Sequence, residues 1–281
     1  MATYSEKAEK ATGLQLSDAH FHLGFVSNPV DFAVDAQRAG VPVFAASVTP
    51  SEYRDTKRAL YWAAAPLQPV GDSASIKLAV GLHPWWVSAD ERRFAEVLRA
   101  FDVALPETQY VGEVGLDFSK RRIATRDAQL RAFRHIANAC AKDGGKVLSI
   151  HCVKAYDDVL SILDSSGCFA SCTCIFHWFS GSFQQLEQAA DAGCFFSVGA
   201  RMLETKKGSE YAKAVSLRKL LLETDAPAAI DPEQEHPSVL YSYDQMRLQL
   251  VETLRRLARI RGIGESELAA IVQQNACEVF C

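Results

Sequence analysis

Excess positive charge, paired thiols and long apolar runs are all missing from this sequence. Its 30 Lys and Arg stand against 34 Asp and Glu, a net charge of −4. Coating nucleic acid by bulk charge is thereby excluded, although a local basic rim is not. The eight cysteines (140, 152, 168, 172, 174, 194, 277 and 281) include no CxxC pair. Most sit among apolar neighbours, as reduced thiols do in a cytoplasmic protein. Cys172 and Cys174 lack the second thiol pair that a zinc site would need. No apolar run approaches the ~20 residues of a membrane span. The opening MATYSEKAEKAT is polar and charged, and is expected to be a loose tail over residues 1–12 rather than a signal peptide or anchor. No repeat, low-complexity run or linker divides the chain, so residues 13–281 are expected to form a single domain.

What is present is a beat of short apolar strands and amphipathic helices. Strands are expected at 14–19, 41–48, 76–82, 109–114, 146–150, 173–176, 194–198 and 219–223. Helices are expected between them at 30–39, 51–65 (capped by Ser51), 89–101, 126–142, 155–165, 183–192 and around 210–217, with two more at 238–260 and 265–280. Residues 67–75 read as a loop. Eight strands, each followed by a helix, predict a (β/α)₈ TIM barrel of the α/β class. A doubly wound open sheet is the rival, but no Gly-rich phosphate turn follows the first strand.

In such a barrel the chemistry lies at the C-terminal ends of the strands. Strand one ends in Asp18-Ala19-His20-Phe21-His22, whose alternate residues share a face, with Asp18 placed to orient a ring. Strand three ends in His83, strand four in Glu113, strand five in His151, strand six in His177 and strand eight in Asp225. Five of the seven histidines thus fall on one face, leaving only His135 and His236. Four imidazoles and two carboxylates suit a pair of divalent cations, Mg/Mn or Zn/Ni, bridged by one carboxylate. Glu113 is the expected bridge. His20, His22 and Asp225 would share one ion, and His151 and His177 the other. A hydroxide on such ions is the expected nucleophile, with Asp225 accepting a proton and His83 steering substrate.

The motifs DAHFHL (18–23), GLHP (81–84), GEVGLDF (112–118), IH (150–151), HWFSG (177–181), ETDAP (223–227) and NACEVF (275–280) resemble the TatD family of metal-dependent, amidohydrolase-type barrels. That resemblance covers nearly the whole chain. It implies a two-metal phosphodiesterase, a DNase acting 3′–5′ on single strands, with metal positions at His20, His22, Glu113, His151, His177 and Asp225. Three departures stand out. Val153 occupies a position where family members often carry Arg, so a phosphate contact would pass to Lys154 or be lost. Trp178 replaces a common Cys, and Ala228-Ala229 replace an aromatic. The HWFSGS and GEVGLDFSK forms look more like the TatD-type member of bacterial Qat antiphage clusters, which implies partner proteins of a defence assembly.

The loops beyond the strands carry Lys120-Arg121-Arg122, Lys154, Arg201 and Lys206-Lys207, alongside Trp85-Trp86, Phe118, Trp178 and Phe179. Cations that track phosphates, interleaved with rings that stack bases, are how single strands are held without sequence readout. The expected substrate is single-stranded DNA. The competing expectation is a small-molecule or aminoacyl amidohydrolase or esterase using the same ions, since barrels host many chemistries.

Overall fold

The computed structural model describes residues 14–63, 75–228 and 238–281. The expected tail at 1–12, most of the 67–75 loop, the end of the 51–65 helix, Ala229 and His236 lie outside them.

Eight strands form one parallel sheet in sequence order: β1 (Asp18–Phe21), β2 (Val43–Ala46), β3 (Ile76–Leu82), β4 (Tyr110–Asp117), β5 (Val147–Val153), β6 (Thr173–His177), β7 (Phe195–Val198) and β8 (Leu220–Leu222). Closure comes just beyond the ends of β1 and β8, where His22 N–H donates to Ala226 O (2.8 Å) and Asp225 N–H donates to His20 O (3.0 Å). The result is a (β/α)₈ barrel, as the alternation predicts.

Helices follow in turn: α1 (Pro29–Ala39), α2 (Pro50–Ala63), α3 (Glu91–Ala104), α4 (Arg126–Asp143), α5 (Tyr156–Ser166), the single turn α6 (Cys168–Ser171), α7 (Phe183–Asp191), α8 (Ala200–Glu204), α9 (Lys206–Ala214), α10 (Tyr243–Arg261) and α11 (Glu265–Phe280). Their starts follow from capping chemistry. Ser182 and Ser242 each close a capping box with a Gln three residues on, satisfying amides that the helix leaves free. At α2 the capping hydroxyl is that of Thr49, which accepts the Glu52 N–H at 3.1 Å, and not that of Ser51. The helix expected near 210–217 is instead two short ones, α8 and α9, hinged at Thr205, whose hydroxyl accepts the Gly208 N–H.

Side-chain alternation sorts each strand between two cores. Phe44, Ala79, Tyr110, Val147, Ile175, Phe195 and Leu221 point into the barrel and meet Ala276, Val279 and Phe280 of α11, which stop its lower end. Their neighbours Val43, Val80, Val111, Leu148, Phe176, Phe196 and Leu222 point out against the helices. Continuing the inward series two residues at a time leads upward from Val147 to Ser149 and His151, from Ile175 to His177, from Phe195 to Ser197, and from Leu221 to Glu223 and Asp225. An apolar floor therefore lifts a polar layer to the barrel mouth. β4 runs three residues past its expected end at 114, carrying Asp117 to that mouth. It can do so because residue 115 is glycine: at φ 144°, a Cβ there would lie 2.0 Å from the His151 carbonyl oxygen. Among the described residues no helix is long and apolar enough to cross a membrane.

Candidate active site

Glu113 is the hub of the polar layer. Its Oε1 lies 2.6 Å from His151 Nδ1, 2.8 Å from His177 Nε2 and 3.2 Å from His83 Nε2. Its Oε2 lies 3.3 Å from His20 Nε2 and 3.5 Å from His22 Nε2. Asp225 Oδ1 approaches His22 Nε2 at 3.5 Å and His20 Nε2 at 4.0 Å. The six residues expected to hold metal thus converge on one buried locus, and His83 joins them.

Their electrostatics follow from burial set against this crowding. Burial keeps His20 and His83 neutral, each pulled down to about 4. Burial also opposes charge on His151, but the Asp117 and Glu113 hydrogen bonds outweigh it and raise the ring to about 9. For His22, burial is outweighed by the Asp225 bond and by the Glu113, Asp225 and Glu52 charges, so its pKa also rises. Desolvation would raise Glu113, yet the surrounding His83, His177 and His20 rings hold it well below the usual carboxylate range. Asp225 is likewise lowered despite burial, chiefly by its bond to His22.

Tautomers separate ligands from donors. His83 Nδ1 accepts the Trp85 backbone N–H at 3.1 Å. A neutral His83 must then carry its proton on Nε2, which donates to Glu113 and has no lone pair for a metal. His20 differs: its Nδ1 meets Ser149 Oγ at 2.7 Å, and its Nε2 faces His22 Nε2 at 3.3 Å. With Nδ1–H donated to Ser149, the His20 Nε2 lone pair faces the carboxylate oxygens and a second imidazole. Among the described residues, three groups bring ligand atoms within 4.8 Å of one another: His20, His22 and Asp225; His20, Glu113 and His177; and His83, Glu113 and His151. Lone pairs and anionic oxygens facing each other in a buried site are the donor set of a divalent cation. The residues fit such an ion, the third group least well because of the His83 proton.

Asp18 does not orient a ring. Its Oδ1 accepts the backbone N–H groups of His20 (3.0 Å) and Thr224 (3.1 Å), and its Oδ2 accepts the Thr224 hydroxyl at 2.6 Å. It ties the β1 tip to the β8 tip, and burial pushes it up to about 7. Ring orientation falls to Ser149. Sequence reasoning missed this residue, together with Asp117 and Glu223. Asp117 Oδ2 takes the Trp85 indole N–H at 2.6 Å and lies 3.4 Å from His151 Nε2. Glu223 accepts the Ser197 hydroxyl and, at 3.1 Å, the Trp178 N–H. Each shares the parity of a candidate ligand on its own strand (117 with 113, 149 with 151, 223 with 225), and that was the available signal.

Around the mouth, Arg201 Nη1 lies 3.8 Å from Asp225 Oδ2, with its guanidinium 6.0 Å from the Trp178 ring centre. Arg122 sits 4.9 Å over Trp85, which stacks on Trp86. Lys120, Lys154, Lys206 and Lys207 are exposed. Trp178 and Lys154 have left-handed backbones at φ 40° and 55°, as does Asp225 at 50°. Phe179 is unavailable to a substrate. It is 1% exposed and packs against Tyr156, Phe196 and Tyr211.

The family described as TatD related DNase matches residues 17–281. A 3′-5′ ssDNA/RNA exonuclease TatD from Citrobacter rodentium is 29% identical over 208 residues, 71% of this chain and 75% of that protein. The human deoxyribonuclease TATDN3 is 25% identical over 210 residues, 72% of this chain and 73% of its own. Among solved structures, a hydrolase TatD family protein from Entamoeba histolytica superposes with a TM-score of 0.73 at 16% identity, covering 95% of this chain and 98% of that one. The TatD homologue YJJV of Escherichia coli K12 gives 0.65 at 21% identity, with coverages of 95% and 98%. The chain belongs to the TatD-related DNase family.

Proposed function

We propose that this protein is a metal-dependent nuclease that hydrolyses phosphodiester bonds of single-stranded DNA, degrading it from the 3′ end in the cytoplasm. The observation that carries the reading is the convergence of His20, His22, His151, His177, Glu113 and Asp225 beneath a rim of cations and indoles. Relatives named as single-strand exonucleases and deoxyribonucleases support it.

Two divalent ions would be held there, one by His20, His22 and Asp225 and the other by His151 and His177, with Glu113 between them. Bound, such ions make water acidic enough to attack near neutral pH, lowering its pKa from about 15.7 toward ~7, and offset charge on the phosphoryl oxygens. The chain's own groups do the rest. Asp225, held ionised, accepts the proton given up by the attacking water. His83, whose Nε2–H rests on Glu113 Oε1, would offer that proton to a phosphoryl oxygen as Glu113 turns to the ions. Arg201, Lys154 and Lys120 pair with phosphates, while Trp178 provides a face for a base, each stacked base being worth roughly 1–3 kcal/mol.

The test is chelation, reloading with Mg²⁺, Mn²⁺, Zn²⁺ or Ni²⁺ in turn, and assay on a 5′-labelled single-stranded oligonucleotide. Progressive shortening from the 3′ end is expected, and His151→Ala and Asp225→Asn should each abolish it with circular dichroism unchanged. Activity surviving both substitutions sinks the reading. Charge reversal at Lys120 and Lys206-Lys207 separates a nuclease, which should lose affinity and salt dependence, from a small-ester or amide hydrolase, which should not. Partners in a defence assembly rest on the HWFSGS and GEVGLDFSK forms alone, and co-purification with the products of neighbouring genes tests them.

A further inference from the structure

A half-buried side chain close to the centre, that of Glu52, has no part in the chemistry above. Glu52 stands in the first turn of α2, immediately beyond the β2 tip. Its Oε2 accepts the Val48 N–H at 2.9 Å, and its own N–H donates to Thr49 Oγ1. Those two bonds are ordinary helix capping. Oε1 is another matter: it is sealed from solvent and has no hydrogen-bond partner among the described residues. It lies against Gly24, where an added Cβ would come within 2.1 Å of it.

Gly24 is two residues past His22, and His22 Nδ1 is also buried without a partner among the described residues. The two orphans are complementary. A carboxylate oxygen only accepts, whereas His22 must carry its proton on Nδ1 whenever its Nε2 lone pair faces a metal. Leaving a buried donor and a buried acceptor both unmade is costly, and pairing them removes both penalties.

We propose that Glu52 is a positioning residue for the metal centre, its Oε1 taking the Nδ1–H of His22 through one bound water. The carboxylate then fixes the His22 tautomer and ring angle and makes Nε2 a better donor, as acceptors behind metal-bound imidazoles do. This inference rests on the reading of His22 as a ligand.

The test is calorimetric titration of the chelator-stripped full chain with Mn²⁺, alongside thermal melting of the metal-free protein. Glu52→Gln retains an acceptor for Val48 N–H but turns an amide toward His22. It should weaken Mn²⁺ binding about 10–100-fold, while Glu52→Asp, which keeps the carboxylate, recovers part of the loss. Thr49→Val, which removes only the cap, should lower the metal-free melting temperature and leave the Mn²⁺ affinity unchanged. A Glu52→Gln affinity within twofold of the parent overturns the proposal. A parent protein that takes up no Mn²⁺ fails one step earlier, at the metal centre itself, and takes this inference with it.

Discussion

A metal entering this centre has to displace the proton of His151. The ring is held between Glu113 on Nδ1 and Asp117 on Nε2, and these bonds overcome burial to raise it to about 9. Imidazole binds a metal only when neutral. At pH 7, two units lower, the competition costs about 2.7 kcal/mol, or roughly 100-fold in apparent affinity. Apparent affinity for Mn²⁺ should therefore climb about tenfold per pH unit from 7 toward 9 and then level off. Titration at pH 7.5 in two buffers of unlike ionisation enthalpy should count about one proton released by this ring. Asp117→Asn removes one of its two anionic neighbours, so His151 falls toward its ordinary ~6.5 and most of that release disappears. Comparing the two proteins cancels protons from other sources. Stability of the metal-free fold runs the other way: a raised histidine stabilises it below its ordinary pKa, and that contribution is lost as pH rises through about 9. Equal proton counts in the two proteins, or an affinity flat between pH 7 and 9, would refute the reasoning.

Three further outcomes are expected. Ser149→Ala strips the acceptor from His20 Nδ1, so metal affinity should fall about 10–100-fold and the melting temperature by a few degrees; an unchanged Mn²⁺ isotherm would show that Ser149 does not orient the ring. Gly115→Ala would drive a methyl into the His151 carbonyl and should cost about 3 kcal/mol or more in urea unfolding; a loss below about 1 kcal/mol would mean that β4 can move aside. Lys154→Gly relieves a left-handed backbone and should raise stability by up to ~1 kcal/mol, while lowering the salt slope of oligonucleotide binding by about 0.7. A stabilised variant with the parental slope would take Lys154 off the phosphate track.

The barrel and its metal-capable tips were legible because they follow from two local rules, apolar strands at a regular beat and chemistry at their C-terminal ends. His151 and His177 could be placed without knowing any contact. What escaped depended on long-range pairing. The strand expected to end at 114 runs on through Gly115 to Asp117. In three dimensions that glycine permits close approach to β5, and Asp117 reaches the site as a consequence. Asp18 shares parity with His20, but its partner Thr224 lies 206 residues away, beyond any reading of one strand. The adjacent rings of Trp178 and Phe179 could not be told apart by composition. Only the left-handed turn at Trp178 shows that the second goes into the core and the first to the mouth. Glu52 lies in the first turn of the expected 51–65 helix with nothing in the pattern to single it out, and its second oxygen could be found only through what it fails to bond.

The most direct measurement of the central claim is anomalous diffraction from crystals grown with Mn²⁺. Two peaks are expected roughly 3.5–4 Å apart, one against His20, His22 and Asp225, the other against His151 and His177, with Glu113 touching both. A map with no peak at the barrel mouth, or with these side chains turned away from the ions, would contradict the account.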